Sequence, residues 1–340
     1  MKIFFKNKKN RANNVKYLSI KNSCDNIKIL KEGHMEVYII SKKEDFSEEQ
    51  IARLEKVGKV VFIDQIGVDL NTAEFMNSKE EKIIAVNPDY TDWKFPDEVI
   101  ERIPNLKGIA LQTTGYSYID TEFCKQKGII ITNIPKYSTD AVAEYAMFLM
   151  FAVARKLPLQ IKSDWKESFT KGMMQRQVCG KKVGILGLGS IGTKLAELLS
   201  AIGMKVSYWS KNTRNEKYEY EELEDLFETC DFIFPTFAVN GQTKLIITDA
   251  LLNSMKKSAS LISIVGTEVF NLNILLNKVK ANEIYGLAFE SANDDIANYE
   301  GNVMITSPYA WYTKESFKNL IEKWTTVMES FKDGNPIHQI

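Results

Sequence analysis

Residues 181–203 read KKVGILGLGSIGTKLAELLSAIG, and this stretch decides the fold. Gly187, Gly189 and Gly192 form a G-x-G-x-x-G turn between an apolar strand pattern and a helix pattern. The first glycine permits a tight turn, the second lets backbone N–H groups approach a pyrophosphate, and the third lets helix and strand pack closely. The helix N-terminus, with Ser190 and Ile191, favours the negative charge of a phosphate. The stretch predicts a dinucleotide-binding Rossmann unit, with a plain strand–helix connector as the alternative.

The end of the next strand pattern, 205–209, indicates which dinucleotide is preferred. An NAD site normally has an acidic residue here to accept the ribose hydroxyls, but this chain has Ser210. Lys211 and Arg214 follow, and both can pair with a 2′-phosphate. We therefore expect NADP as the cofactor, with NAD second, while an ordinary solvated basic loop is the alternative reading.

Strand and helix patterns alternate on both sides of this turn. Before it, apolar runs at 36–41, 59–63, 82–86, 108–112 and 128–132 predict strands, and after it further strands fall at 205–209, 231–234, 260–265, 285–289 and 303–306. A long apolar helix at 139–156 joins the two series, and an amphipathic helix at 313–331 closes the chain. Such alternation predicts an α/β protein with two doubly wound parallel-sheet domains.

Composition excludes several other classes. The 340 residues carry 44 Lys+Arg and 44 Asp+Glu, so a neutral chain gives no general reason to expect nucleic acid or a membrane surface as partner. Four scattered cysteines without a C-x-x-C pair predict neither a metal site nor a disulfide scaffold, and favour a cytoplasmic location. The most apolar run, 141–156, contains Glu144 and is too short to span a bilayer.

The first 34 residues differ from the rest of the chain in charge. They hold nine Lys/Arg and two Asp/Glu, a net of +7, so the remainder is acidic. We interpret this segment as a solvated extension or an added edge strand, with 2–5 as the candidate strand. Contact with an anionic partner is the alternative.

At this point the chain, over residues 36–340, resembles the D-isomer-specific 2-hydroxyacid dehydrogenase family. The stretches that carry the resemblance are NLKGIALQTTGYSYID at 105–120, ITNIPKYSTDAVAEYAMFLM at 131–150, the glycine turn, DFIFPTFAVNGQT at 231–243 and LLNSMKKSASLISI at 251–264. YAWYT at 309–313 and GNPI at 334–337 resemble the family's return segment. Their order and spacing together are specific for the fold.

The resemblance implies an organisation and a set of binding residues. It implies a discontinuous flavodoxin-like substrate domain, 1–133 with 309–340, and an inserted Rossmann domain, 134–308, through which the family forms homodimers. It places Thr114 and Gly115 at the turn that presents backbone N–H groups to a small-molecule substrate, and Asn87 on a neighbouring substrate loop. Phe237 and Val265 follow the next two strands of the nucleotide domain as further cofactor-binding candidates.

The chain departs from the family at the catalytic positions. Gly266 takes the place of the family's arginine, and the place of its histidine falls on Pro308 or, after a one-residue shift, on Tyr309. The histidine's acidic partner would fall near Asp294, Asp295 or Glu300, and Asp295 is our choice. The only two histidines, His34 and His338, are expected on the surface.

Three functions fit these departures. The first is an NADPH-linked reductase of an atypical carbonyl-type substrate. In it, Tyr309 would donate the proton with help from Tyr312, Lys314 or Asp295, although Tyr309 as plain packing is an equal reading. Tyr116 and Tyr118 are weaker candidates for this role. The second is a catalytically inactive NADP-binding regulator or scaffold, and the third is a 2-oxoacid reductase with relocated catalytic groups.

Overall fold

The computed structural model of the protein describes residues 35–166, 169–239, 243–292 and 298–340, which build two parallel β-sheets flanked by helices. The basic segment 1–34, with the strand predicted at 2–5 and His34, lies outside the described residues. So do Asp294 and Asp295.

The first sheet has five parallel strands in the order β2-β1-β3-β4-β5, the arrangement of flavodoxin-like domains. Its central runs, EVYII and KIIAV, are buried along their whole length. Continuous apolar strands are typical of a parallel sheet that is covered by helices on both faces. The strands are β1 (Glu36–Ile40), β2 (Lys59–Phe62), β3 (Lys82–Val86), β4 (Leu106–Leu111) and β5 (Ile130–Thr132).

The second sheet has seven parallel strands in the order β12-β11-β10-β9-β6-β7-β8. The strand order reverses between β6 and β9, so the crevice above their carboxyl ends is the expected place for a dinucleotide. The strands are β6 (Lys182–Leu186), β7 (Lys205–Trp209), β8 (Glu219–Tyr220), β9 (Phe232–Pro235), β10 (Ser260–Ile262), β11 (Gly286–Glu290) and β12 (Val303–Thr306).

Helices fill the connections of both sheets. The longest of these, α4, has the sequence TDAVAEYAMFLMFAVA, and it packs against α6 and against β11. The connecting helices are α1 (Glu48–Leu54), α2 (Asp97–Ile100), α3 (Thr121–Gln126), α4 (Thr139–Ala154), α5 (Leu157–Lys162), α6 (Ser190–Ala201), α7 (Leu223–Thr229), α8 (Asp249–Ser254) and α9 (Leu272–Lys280).

The last helix, α10 (Lys314–Ser330), packs on the first sheet although it follows the second in sequence. Trp324 is fully buried there, and its indole N–H donates to the carbonyl of Ala110 in β4 at 3.0 Å. The chain end also joins this sheet, because the Ile340 N–H donates to the carbonyl of Ile131 in β5 at 3.0 Å. Residues from both ends of the described chain thus share one apolar core.

The predicted fold class is confirmed, and the differences are local. The strand expected at 260–265 ends at Ile262, and α3, α5, α8 and the two-residue β8 were not predicted. These four elements are short, so they have too few residues to show a period. The boundaries of the two predicted domains stay a prediction. Among the described residues, none of the helices combines the length and apolar character that crossing a membrane requires.

Candidate active site

The turn between β6 and α6 leaves no room for side chains at two of its three glycines. Gly187 has a φ of +102°, and a Cβ on it would lie 2.9 Å from the Cβ of Phe237. A Cβ on Gly192 would lie 2.1 Å from the carbonyl oxygen of Gly187. Glycine is therefore required by the left-handed backbone at one position and by helix–strand contact at the other.

The second glycine of the turn, Gly189, faces open space instead. A Cβ there would meet nothing within 4 Å. The first helical bond of α6 runs from the Thr193 N–H to the Gly189 carbonyl at 2.9 Å, so the N–H groups of Ser190, Ile191 and Gly192 have no partner within the helix. Open space beside orphan donors at a helix N-terminus fits a phosphate group. The residues present thus fit the pyrophosphate of a dinucleotide.

The end of β7 holds a positively charged side chain in a defined place. Ser210 is buried, and its hydroxyl oxygen accepts the Thr213 N–H at 3.3 Å. Arg214 Nη1 donates to the Ser210 carbonyl at 2.8 Å, and the guanidinium lies 4.1 Å from the centre of the Tyr220 ring. Lys211 is exposed on the same loop. A guanidinium thus stands where an NAD site would have a carboxylate.

Two further predicted cofactor residues lie along the same sheet edge. Phe237 follows β9 and packs half-buried against Gly187, where the Thr236 hydroxyl also donates to the Gly187 carbonyl at 2.6 Å. Val265 follows β10, and its carbonyl accepts the Ser263 hydroxyl at 2.9 Å. The structure therefore brings them to the edge that carries the glycine turn, and their contact with a cofactor stays a prediction.

A cavity of about 830 Å³ lies where residues after strands of both sheets meet. From the first sheet come residues after β1, β3 and β4, and from the second come the end of β11 and the segment after β12. Ligand sites of parallel sheets lie at carboxyl ends of strands in this way. We call this cavity the cleft. Its lining residues are Lys42, Asp45, Asn87, Pro88, Asp89, Tyr90, Trp93, Gln112, Thr113, Tyr137, Glu290, Ala292, Pro308, Tyr309, Trp311, Tyr312 and Phe317.

Glu290, the last residue of β11, is a carboxylate drawn partly out of water in this cleft. Burial raises its pKa above the ordinary value, and the N–H groups of Ala310 and Tyr309 lower it in part. The Ala310 N–H donates to Glu290 Oε1 at 2.9 Å. The bond joins β11 to the segment after β12 and fixes this carboxylate next to the predicted proton donor.

Two more carboxylates line the side of the cleft that the first sheet provides. Burial raises the pKa of Asp45, and Lys42 lowers it in part. Asp89 Oδ1 accepts the indole N–H of Trp93 at 2.9 Å. Asn87 lies beside it and caps the following turn, since its side-chain oxygen accepts the Asp89 N–H at 3.1 Å. Asn87 therefore lies in the cleft, as its predicted role in substrate binding requires.

Tyr309 and Tyr312 line the cleft with exposed rings. Their ring centres are 6.2 Å apart, and the side chains are 61% and 58% exposed. Trp311 packs edge-on against Tyr312 at 5.0 Å and against Tyr137 at 5.9 Å. Burial raises the pKa of Tyr137 to about 12, which keeps its phenol protonated at neutral pH. The two predicted catalytic tyrosines thus belong to an aromatic wall, and their catalytic roles stay predictions.

The predicted substrate turn is held by its own hydrogen bonds. The Thr114 hydroxyl donates to the Ile134 carbonyl at 2.7 Å, and the Gly115 N–H donates to Thr113 Oγ1 at 3.2 Å. The side chains that reach the cleft from this segment are those of Gln112 and Thr113. The roles of Thr114 and Gly115 in substrate binding therefore stay predictions, with the hydroxyl of Thr114 already engaged.

The position matched to the family's arginine carries the opposite charge nearby. Gly266 has an extended backbone, and a Cβ placed on it would lie 2.0 Å from Glu268 Oε2. The carboxylate of Glu268 therefore lies over Gly266, in the space that the first carbon of an arginine side chain would occupy. An arginine at position 266 would therefore collide with the Glu268 carboxylate unless that side chain moved.

The weaker candidates lie elsewhere. Tyr116 and Tyr118 line a separate cavity of about 620 Å³, and burial raises the pKa of the Tyr118 phenol. Lys314 is exposed at the first position of α10. His338 is exposed as expected, and its carbonyl accepts the Asn133 N–H at 3.2 Å.

Sequence reasoning missed five charged or amide residues of the cleft: Lys42, Asp45, Asp89, Gln112 and Glu290. Each lies at or soon after the end of a strand, which is the signal that was available. Gln112 follows β4 directly, and Glu290 ends β11. Glu290 was not among the predicted site residues, although its carboxylate lies in the cleft.

A Rossmann sheet with an intact phosphate turn, together with a flavodoxin-like sheet and a cleft lined from both, defines a two-sheet dinucleotide-dependent oxidoreductase scaffold. Residues 147–305 match the family model described as D-isomer specific 2-hydroxyacid dehydrogenase, NAD binding domain. A Staphylococcus aureus (strain USA300) protein named as a 2-hydroxyacid dehydrogenase is 32% identical over 230 residues, which are 62% of this chain and 70% of that protein. The chain belongs to the D-isomer-specific 2-hydroxyacid dehydrogenase family.

Other relatives carry more specific names. A glyoxylate reductase of Pyrococcus horikoshii is 32% identical over 209 residues, 57% of this chain, and the match spans only 62% of that relative's length. These names support the predicted class, an NAD(P)-dependent dehydrogenase or reductase.

Solved structures show the same fold. An acyclic imino acid reductase (Bsp5) in complex with NADPH and D-Arg is 26% identical, with a TM-score of 0.77 over 90% of this chain and all of that one. A glyoxylate reductase from Paecilomyes thermophila has the same TM-score at 18% identity, over 90% of this chain and 98% of the other, and shows the fold alone.

Proposed function

We propose that the protein is an NADPH-linked reductase of an atypical carbonyl-type substrate, and that this substrate is a C=N compound, an imine. One observation carries the proposal. Among its described lining residues, the cleft has carboxylates, phenols and a lysine, but neither an arginine nor a histidine. A substrate that must be held by arginine and protonated by histidine does not match this set of groups.

Imine chemistry has different requirements from carbonyl chemistry. Reduction of a carbonyl leaves a negative charge on oxygen, which a general acid must neutralise. A protonated imine is a cation, so hydride addition to its carbon gives a neutral amine and needs no proton at that step. The carboxylate of Glu290, fixed by the Ala310 N–H at 2.9 Å, is suited to stabilise such a cation. The imino acid reductase among the similar structures supports the same class of substrate.

The residues that would hold the cofactor are on the second sheet. The N–H groups of Ser190, Ile191 and Gly192 would bind the pyrophosphate over the open face of Gly189. A bound nicotinamide dinucleotide supplies the hydride. Phe237 and Val265 would line the pocket farther along the sheet edge.

NADP is the proposed form of the dinucleotide, with NAD as second choice. Arg214, held on the Ser210 carbonyl and against Tyr220, would pair with the 2′-phosphate, and Lys211 would add a second positive charge. A carboxylate, which would repel that phosphate, is absent from the described residues 210–214. The NADPH in the similar imino acid reductase structure supports this choice.

The remaining roles are proposed as the sequence predicts them. Tyr309 would donate a proton where the substrate needs one, with Tyr312 beside it and Asp295 as the acidic partner. Asn87, Thr114 and Gly115 would contact the substrate. We further propose that 1–133 with 309–340 form the substrate domain, that 134–308 form the nucleotide domain, and that the latter mediates a homodimer of a cytoplasmic protein.

The proposed reaction is tested by following NADPH oxidation with a panel of 2-oxo acids, each with and without a high concentration of ammonia or methylamine. We expect turnover that requires the amine, because the amine converts the oxo acid into an imine. Equal turnover without amine would identify a 2-oxoacid reductase instead. Tight NADPH binding without any turnover would identify a regulator, and either result overturns the proposal.

One substitution distinguishes a catalytic role of the Tyr309 hydroxyl from simple packing of the Tyr309 ring. Tyr309→Phe keeps the ring and removes the hydroxyl, so it abolishes turnover if the phenol is the proton donor. If the imine is protonated before it binds, the variant keeps most of its rate. Tyr116→Phe, in the other cavity, serves as the matched control.

A further inference from the structure

We propose that the substrate of the cleft carries a permanently charged ammonium or guanidinium group, in addition to the reacting C=N or C=O bond and an oxygen that accepts a hydrogen bond. This inference rests on the proposed reductase function and names its substrate class. Three observations carry it: the charge of the cleft, its aromatic wall and one buried amide without a partner.

Among the described lining residues of the cleft, carboxylates outnumber positively charged side chains. Asp45, Asp89 and Glu290 line it, against one ammonium group, that of Lys42. Among the described residues, none of the three carboxylates lies within ion-pair distance of a lysine or arginine, and Lys42 makes its contact with Glu44 at 4.0 Å. Carboxylates without an ion-pair partner keep most of their attraction for a cation.

The wall of the cleft is built from groups that also attract cations. Trp93, Tyr309, Trp311 and Tyr312 line it together with the buried Tyr90. The faces of aromatic rings carry negative potential, and they bind ammonium and guanidinium groups when these lie over the ring. The same arrangement occurs within this chain, where Arg214 lies 4.1 Å over Tyr220. Rings and carboxylates therefore favour the same kind of ligand.

The amide of Gln112 is an independent observation that fits a ligand in the cleft. Gln112 is only 7% exposed and lines the cleft, and its Nε2 is enclosed without a hydrogen-bond partner among the described residues. An enclosed donor without an acceptor destabilises the protein, so a ligand oxygen that accepts from Nε2 would remove that cost. Carboxylates that only contact water would not account for an enclosed amide without a partner beside them.

Together these groups select a compound with two different ends. A carboxylate or carbonyl oxygen would meet Gln112, and a positively charged side chain would meet the carboxylates and rings. A 2-oxo acid with a basic side chain, or the imine made from it, has both features. A neutral analogue of the same shape loses only the charge contacts.

The test uses a pair of substrates that differ only in charge. The full chain with NADPH and ammonia is assayed with 2-oxo-5-guanidinopentanoate and with its neutral ureido counterpart. We expect kcat/KM to be at least about tenfold higher for the guanidino compound, the size of one cation–π or charge contact in a desolvated site. In Asp45→Asn and Asp89→Asn the preference falls, whereas Glu55→Gln, an exposed carboxylate outside the cleft, keeps it.

A binding measurement separates this inference from the reductase proposal. Butylguanidinium and butylurea are titrated against the full chain, with the fluorescence of Trp93 and Trp311 as the readout. Equal turnover of the two substrates together with equal binding of the two probes overturns the cationic substrate and leaves the reductase intact. Preferential binding of butylguanidinium without turnover of either substrate supports the cation site and overturns the reductase.

The amide is tested by Gln112→Leu, which keeps the size of the side chain and removes the donor. We expect KM to rise for both substrates alike while the preference for the guanidino compound is kept. An unchanged KM in a folded variant, checked by its thermal unfolding, would overturn the role of Gln112.

Discussion

Replacement of Arg214 by alanine should weaken the binding of NADPH and leave that of NADH nearly unchanged. Arg214 Nη1 donates to the carbonyls of Ser210 and Thr213 at 2.8 and 3.1 Å, and the guanidinium stacks on Tyr220. These contacts hold the side chain in one place before any ligand binds, so little further entropy is lost when a phosphate pairs with it.

The magnitude follows from the strength of one charge-assisted contact. Hydrogen bonds to charged groups contribute about 1.5–3 kcal/mol, which corresponds to about 10- to 150-fold in Kd. Arg214 is exposed on its loop, so solvent and salt screen part of this energy. We therefore expect Kd for NADPH to rise about tenfold in Arg214→Ala, and less than twofold for NADH, which has no 2′-phosphate.

The assay is a titration that follows the fluorescence of the reduced nicotinamide, at low and at high salt. Lys217→Ala is the matched control, because Lys217 is also exposed after β7 but lies over the Tyr218 ring at 5.3 Å. An equal loss of affinity for NADPH and NADH would show that Arg214 only supports the loop. No change for either cofactor would refute the assignment of the 2′-phosphate site.

Three further predictions test the cleft and the fold. Gly266→Arg alone should not improve 2-oxo acid binding, because the new guanidinium would pair with Glu268. The double variant with Glu268→Gln should lower KM for 2-oxo acids. Equal KM values in the single and the double variant would contradict this explanation. Glu290→Gln should stabilise the protein at neutral pH. Because burial raises the folded pKa of Glu290, the parent protein loses stability as the pH rises from about 4.5, the ordinary pKa, through the folded pKa. The melting temperatures of the variant and the parent should therefore converge as the pH falls towards the ordinary pKa. Trp324→Phe should lower the free energy of unfolding by about 1–3 kcal/mol, because it leaves the Ala110 carbonyl unpaired and opens a cavity, and urea unfolding that shows no shift in midpoint would contradict the packing of α10 on the first sheet.

The fold could be predicted from the sequence because most of the parallel strands are continuous apolar runs that are visible locally. The run KIIAV at 82–86, for example, is buried along its whole length, and its bounds agree with the prediction to the residue. The cofactor turn could be predicted for the same reason, since its three glycines lie within six residues of one another in sequence.

The cleft could not be predicted in the same way, because its groups come from distant parts of the chain. Gln112 and Glu290 are 178 residues apart in sequence, and only the placement of β4 and β11 brings them to one cavity. The burial of Glu290 and the missing partner of Gln112 Nε2 exist only in the folded chain.

The cleft, rather than the glycine turn, favours a working enzyme over an inactive scaffold. The turn around Gly187 keeps its tight packing, which a structural protein would also need, so the turn does not decide the question. The cleft does, because it contains an enclosed amide without a partner at Gln112 and a carboxylate with a raised pKa at Glu290. Both groups destabilise the protein without a ligand, and apolar residues of similar size would remove that cost. Polar groups of this kind are typical of sites where a ligand satisfies them, so the cleft is better explained by substrate binding than by structure alone.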